Sequence, residues 1–107
     1  MGGICGFIGI ENGSLLDLEL MTEKIKHRGP NCYDTYSDRN LCVGFRRINA
    51  ELAADDCSDL FYENDDLVVF FDGEIYNKSM TMPGAEYIAR LYEKSGARFL
   101  SGLRGGF

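Results

Sequence analysis

Three groups of residues in this chain of 107 could carry chemistry. Arg46 and Arg47 stand side by side at the end of an apolar run. Two guanidinium groups at a strand end suit a fork for a carboxylate, which arginine binds bidentately. Two solvated strand arginines fit the same residues equally well. Asp72-Gly73-Glu74 follows the apolar run Leu67 to Phe71. A glycine turn there can present backbone N–H groups to a ligand, or it can be an ordinary turn. The third group is Cys5, Cys32, Cys42 and Cys57. No two of them are spaced as a CxxC metal or redox motif, and His27 is the lone histidine. They are expected to be reduced and packed as small apolar groups in a cytoplasmic protein, with no metal and no cofactor. The glycine-rich stretches lack the GxxxxGK[ST] pattern of an ATP-binding loop.

Composition narrows the class. Hydrophobic residues make up 45% and charged residues 26%, which is ordinary for a soluble globular domain. The length allows one domain, spanning 1–107, with a modest core. A net charge of −6 argues against a nucleic-acid partner, whose phosphates call for clustered Lys and Arg. The apolar opening, Met1 to Ile10, is too short to span a bilayer and lacks a basic lead, so no membrane association is expected. Gly2 invites a myristoylation reading, but Gly6 occupies the place of the required Ser or Thr.

The elements that must position these groups can be placed by period and punctuation. Ile4 to Ile10 reads as a buried strand with close backbone approach at Gly6 and Gly9. Glu11-Asn12-Gly13 turns the chain, and Ser14 is a plausible helix cap. Leu15, Leu18, Met21 and Ile25 form one helical face, stopped by Gly29-Pro30. Tyr33 to Ser37 and Leu41 to Phe45 read as strands joined by a polar turn. Ala50 to Leu60 is acidic and aperiodic, a loop. Leu67 to Phe71 reads as a central buried strand, with Phe61-Tyr62 as its partner across the Asn64-Asp65-Asp66 turn. Ala85, Ile88, Ala89, Leu91 and Tyr92 form a second helical face closed by Gly96, and Ala97 to Phe107 adds a short helical piece. The order of strands and helices predicts α+β layers.

Several short segments, in order, carry a resemblance. Met1-Gly2-Gly3-Ile4-Cys5-Gly6-Phe7-Ile8-Gly9 resembles the opening of asparagine-synthetase-type class II glutamine amidotransferases, except at residue 2. His27-Arg28-Gly29-Pro30-Asn31 resembles that family's HRGPD, Gly44-Phe45-Arg46-Arg47-Ile48 its GHRRL, and Phe71-Asp72-Gly73-Glu74-Ile75-Tyr76-Asn77 its FNGEIYN. Glu86-Tyr87-Ile88 with Leu91-Tyr92-Glu93 resembles the helix after the SDTE motif, and Leu103-Arg104-Gly105-Gly106-Phe107 resembles LxGMF. The resemblance implies an Ntn-hydrolase-like layered αββα architecture, of which this chain would hold about half. It also implies site roles. Residue 2 is the nucleophile position, where an N-terminal Cys would attack the glutamine amide with its own α-amine as base. Residues 72 and 73 form the oxyanion hole. Arg47, Ile48, Glu74 and Gly84 are the substrate-binding positions, with Arg47 on the glutamine α-carboxylate.

Three of those positions depart from the family. Gly2 has no thiol. Asp72 replaces an oxyanion-hole Asn, and an ionised carboxylate has no proton to donate. Gly84 falls where the SDTE Asp would bind the substrate amine, after a segment shorter than its usual counterpart. A second register makes Cys5 the N-terminal nucleophile after removal of residues 1–4. Residues 2 and 5 of a strand point to opposite faces, so Cys5 cannot replace a side chain at residue 2 in place.

The expectation is a module without glutaminase activity. It would serve as a structural, docking or peptide-recognition part of an ATP-dependent amide-forming system. Its partner would be another copy or a second, synthetase-like chain, and its ligand glutamine or a peptide. An active glutaminase subunit delivering ammonia to a synthetase is the alternative, through Cys5 exposed by processing or with Gly2 an engineered replacement of a natural Cys. A non-catalytic amino-acid sensor using Arg47 and Glu74 is the third reading.

Overall fold

A computed structural model describes residues 2–9, 15–30, 32–47, 59–78 and 81–107, without the side chain of residue 32. The expectations at Ile10, the 11–13 turn, Ser14, Asn31, Ile48, Cys57 and most of the acidic loop lie outside these residues. The chain forms two compact units, Met1–Asp56 and Cys57–Phe107, both mixing helix with small sheets in keeping with α+β.

In the first unit, β1 (Gly2–Ile8), β2 (Cys32–Ser37) and β3 (Leu41–Arg47) make an antiparallel sheet of order β1-β3-β2. The middle strand β3 carries the core, with Cys42 through Arg46 all buried. Among the described residues the β1 run is therefore an edge of this sheet, not the buried strand its apolar sequence suggests. Its burial alternates, and Ile4 and Ile8 are exposed. Alternation is what a strand covered on one face shows. The β2–β3 turn forms as its polar residues require. Asp38 Oδ1 accepts from the backbone N–H of Asn40 (2.8 Å) and Leu41 (2.9 Å), and Tyr36 O–H donates to Oδ2 (3.2 Å).

The helix α1 (Leu15–Lys24) and a 3₁₀ turn (Lys26–Arg28) cover one face of that sheet. The helix seats on Leu18 and Thr22, both buried, while Leu15 of the expected face is 58% exposed. Met21 and Ile25 of that face are half-buried, and Gly44 sets how closely the helix sits. A Cβ at Gly44 would overlap Thr22 Oγ1, so the bare glycine lets the helix settle onto β3 along the Leu18–Thr22 line. The Thr22 hydroxyl donates to Leu18 O (2.7 Å), which satisfies it inside the interface.

Arg46 fastens this packing. Only 3% exposed, it donates from Nε to Thr22 O (2.7 Å), from Nη1 to Gly29 O (3.3 Å) and from Nη2 to Glu23 Oε1 (3.3 Å). Its guanidinium also lies 4.7 Å from the ring centre of Tyr33 on β2. The Glu23 carboxylate is largely exposed, so the two carbonyl bonds and the ring contact contribute more than the ion pair.

In the second unit, β4 (Phe61–Glu63) and β5 (Val68–Phe70) form a hairpin. Asn64 Oδ1 turns it by accepting from the N–H groups of Asp66 and Leu67. The Leu67–Phe71 run is thus not a central strand: among the described residues β5 pairs with β4 alone and stays half-buried. Phe71 leaves the strand for the core, where it meets Ile75, Ala85 and Leu103. Helix α2 (Gly84–Ser95) buries Ala85 and Ala89, and a 3₁₀ segment (Gly96–Gly102) follows. A short pair, β6 (Glu74–Ile75) with β7 (Gly105–Gly106), closes the unit, so residues 105–106 are a strand and not part of the short helical piece expected over Ala97 to Phe107. No helix among the described residues is long and apolar enough to cross a membrane.

Removing the Arg46 head group as Arg46→Met would leave two buried carbonyls without their donor. The expected cost is about 3 kcal/mol in urea unfolding, with faster hydrogen exchange along β3; a loss below about 0.5 kcal/mol would refute the fastening role. The N–H of Asn40, foremost, and those of Leu41 with the Tyr36 hydroxyl hold the Asp38 carboxyl below its usual range, against a smaller desolvation effect. A depressed folded value means the turn's support is present above the ordinary Asp range and is lost as pH falls through the lowered value. Acid titration by NMR should therefore release the Asn40 and Leu41 amides together, at a pH below the ordinary Asp midpoint.

Candidate functional site

The first unit places two of the site positions next to each other. In the β1–β3 register Gly2 is opposite Arg47, so a side chain at residue 2 would stand beside Arg47 on the same sheet face. Cys5 belongs to the other face. Its Sγ lies 3.7 Å from Thr22 Oγ1 and 3.6 Å from Gly44 O, under α1. The opposition of residues 2 and 5 expected from strand alternation is therefore realised. Cys5 and Cys42 are free thiols, Cys42 buried and Cys5 half-buried.

The adjacent arginines part company. Arg46 points under the helix and is consumed by its three hydrogen bonds, so the pair is not a double fork for a carboxylate. Arg47, half-buried at the end of β3, is on the Gly2 face. Strand alternation sends neighbours to opposite faces, which separates a structural arginine from a surface one.

Arg28 and Gly29, which the sequence marked only as part of a motif and a helix stop, hold Gly2 and Arg47 in place. Arg28 Nε donates to Gly2 O (2.8 Å). Gly29 packs against the backbone of Arg47 so tightly that a Cβ would overlap Arg47 N and C. Gly29 is extended at φ −178, so close approach and not a left-handed backbone explains the glycine. The His27-Arg28-Gly29-Pro30 segment is thus a clamp: one residue grips each side of the Gly2–Arg47 pair. The signal was available in the motif itself, whereas the two grips needed coordinates.

The second unit holds the other positions. Asp72, half-buried, and Gly73 form the bend between β5 and β6, with Glu74 exposed on β6. Gly73 has φ +143, a conformation that L side chains rarely adopt, and a Cβ there would also overlap Gly106 O. The bend is fixed from behind. Tyr76 N–H donates to Arg104 O (2.7 Å), Asn77 Nδ2 donates to Gly102 O (2.8 Å), and Arg104 N–H donates to Asn77 Oδ1 (2.9 Å). The FDGEIYN and LRGGF segments are therefore one zipped structure.

Gly84 begins α2. Its N–H donates to Asp59 Oδ1 (2.9 Å), a distant residue that supplies the cap Pro83 cannot. A Cβ on Gly84 would come within 2.9 Å of Phe71 Cε1. An aspartate at residue 84 would have to displace a core ring. Ile48 is outside the described residues. The structure thus joins Gly2 with Arg47 in one unit and gives Asp72, Gly73, Glu74 and Gly84 a shared framework in the other.

Comparison with known proteins gives the same family across the chain. Residues 1–107 match the family described as glutamine amidotransferase domain. The chain is 32% identical over 82 residues to glutamine-hydrolysing asparagine synthetase 1 of Bacillus subtilis (strain 168), a match covering 69% of this chain and 13% of that protein. It is 31% identical to glutamine-hydrolysing asparagine synthetase 1 of Arabidopsis thaliana, over 100% of this chain and 21% of that protein. The nodule enzyme of Pisum sativum, also a glutamine-hydrolysing asparagine synthetase, is 30% identical over 100% of this chain and 21% of its own length. The chain thus spans between 13% and 21% of the length of these relatives. No solved structure matches it.

Placing a methyl group at the clamp tests its role. Gly29→Ala should cost about 2 kcal/mol, as overpacked sites do, and should shift the amides of Arg47 and Gly2 together. Unchanged stability with unmoved amides would show that the close approach carries no load.

Proposed function

We propose a function from one premise: the chain belongs to the glutamine amidotransferase family, in the class II form of the glutamine-hydrolysing asparagine synthetases. On our reading it keeps the frame of a glutaminase domain and has lost the reaction. The observation that carries this is Gly2. The Arg28 and Gly29 clamp and the opposing Arg47 remain, yet the residue they hold has no side chain. Without a thiol there is no nucleophile to form the covalent intermediate.

Two further residues support the reading. An oxyanion hole needs a donor, and an ionised carboxylate at residue 72 only accepts and would repel developing negative charge. At residue 84 the substrate-amine carboxylate is replaced by a glycine against the Phe71 ring. The three changes all remove catalytic or recognition groups and leave the packing around them filled.

The role we assign is structural, docking or peptide recognition within an ATP-dependent amide-forming system in the cytoplasm. A second, synthetase-like chain or another copy of this one would be the partner, and the layered αββα architecture of Ntn hydrolases would be the shared fold. Activity through Cys5 is less well supported. Cys5 sits in mid-strand, and cleavage before it would remove the pairs Gly2–Arg47, Gly3–Arg46 and Ile4–Phe45. Its thiol also belongs to the α1 face, away from Arg47.

Purified protein should release no glutamate from glutamine above a buffer blank, with Gly2 or Met1 as its N-terminus by mass spectrometry. Turnover by that species would overturn the proposal. Gly2→Cys alone should remain at least about 100-fold slower than Gly2→Cys with Asp72→Asn, the usual effect of one oxyanion donor.

A further inference from the structure

The second unit has a cavity of about 590 Å³ that none of the proposed site positions lines. It opens between the last turns of α2 and the 3₁₀ segment that follows. Tyr87, Leu91, Phe99 and Leu103 supply its apolar wall, and Lys94 and Arg98 supply its charge. It is an open groove, with Lys94, Ser95, Arg98, Ser101 and Gly102 exposed at its mouth. The wall is anchored: Leu103 belongs to the buried core, and Tyr87, Leu91 and Phe99 pack against that core.

Among the described residues no acidic side chain pairs with the cations at the cavity. Residues 84–107 carry four cationic side chains against two acidic ones, in a chain whose net charge is −6. The two acids are engaged elsewhere. Glu86 pairs with Arg90 (3.2 Å), and Glu93 accepts from Asn64 Nδ2 (2.7 Å). Among the described residues neither Lys94 nor Arg98 has an ion-pair partner. The backbone under Arg98 is held by Ser101, whose hydroxyl donates to Arg98 O (2.9 Å). The cavity therefore combines a ring-lined wall with two cations, one of them a planar fork suited to a carboxylate.

We propose that this cavity binds a small organic carboxylate with an apolar, ring-bearing body. The body lies against Tyr87, Leu91 and Phe99, and the carboxylate meets Arg98 and Lys94. Free glutamine lacks the apolar body and is not its ligand, so this site stands apart from the glutaminase ancestry. Neither charge alone nor the apolar wall alone would select such a ligand; the two together do.

The test is an NMR titration of the isotope-labelled full chain with phenylacetate, phenylacetamide and acetate. Phenylacetate should shift amides between Tyr87 and Leu103 saturably and bind about 10-fold or more tighter than either control, since a charge-assisted contact and the ring burial each contribute. Lys94→Gln with Arg98→Gln, both surface changes, should weaken phenylacetate about 10-fold and leave phenylacetamide unchanged. Equal binding of acid and amide, shifts centred elsewhere, or an unaffected double variant would overturn the proposal.

Discussion

The buried guanidinium of Arg46 is the contact on which the first unit depends. One cation reaches the carbonyl of Thr22 on α1, the carbonyl of Gly29 beyond the 3₁₀ turn and the carboxylate of Glu23, and it lies over Tyr33 of β2. Three pieces of chain, α1, the Gly29 segment and β2, are thereby referred to the central strand β3. A buried charge is costly unless its donors are filled, and here the donors that face inward meet backbone carbonyls near a helix end. The bond to Gly29 O also brings Gly29 down on Arg47. From there the order passes to Arg28 and so to Gly2. The position of the nucleophile that the family would use is set by an arginine on the opposite face of the sheet.

The second unit solves its positioning with backbone instead of charge. A glycine at φ +143 makes the bend after Asp72, and the glycines of β7 let two chains approach without side chains between them. Asn77 uses both ends of its amide to lock that approach, giving to Gly102 O and taking from Arg104 N–H. Asp59 caps α2 from outside the helix, while Phe71 fills the space over Gly84. Rigid support of this kind is what an oxyanion hole requires. Here it holds Asp72 and Gly73 in place. A scaffold and its chemistry are separable, because packing constrains the supporting residues and the reaction constrains only a few side chains at the surface of that packing.

Much of the fold was legible from the sequence. The helices, the β2–β3 turn and the β4–β5 hairpin follow from spacing, polar turn residues and glycine stops. The errors share a cause. Ile4 to Ile8 and Leu67 to Phe71 are apolar runs, and an apolar run alone does not say whether its strand is central or at an edge. In the first unit β3, with Gly44 and Arg46 in it, takes the centre. The helical face of α1 held at Leu18, Met21 and Ile25 and gave way only at Leu15, which is exposed at the start of the helix.

The sequence by itself determined the family, through ordered short segments, and the side-chain types available, since the absence of a thiol at Gly2 is a property of residue type alone. Only the tertiary structure decided what the remaining residues do. Arg46 and Arg47 are identical in type and adjacent in sequence, yet one is a buried fastening and the other faces residue 2. Arg28, Gly29 and Asp59 gained their roles from partners 18 to 26 residues away, Gly2, Arg47 and Gly84. Residue type fixes which bonds a side chain can form, while the fold fixes which partner is within reach, and that second fact is not local to any stretch of sequence.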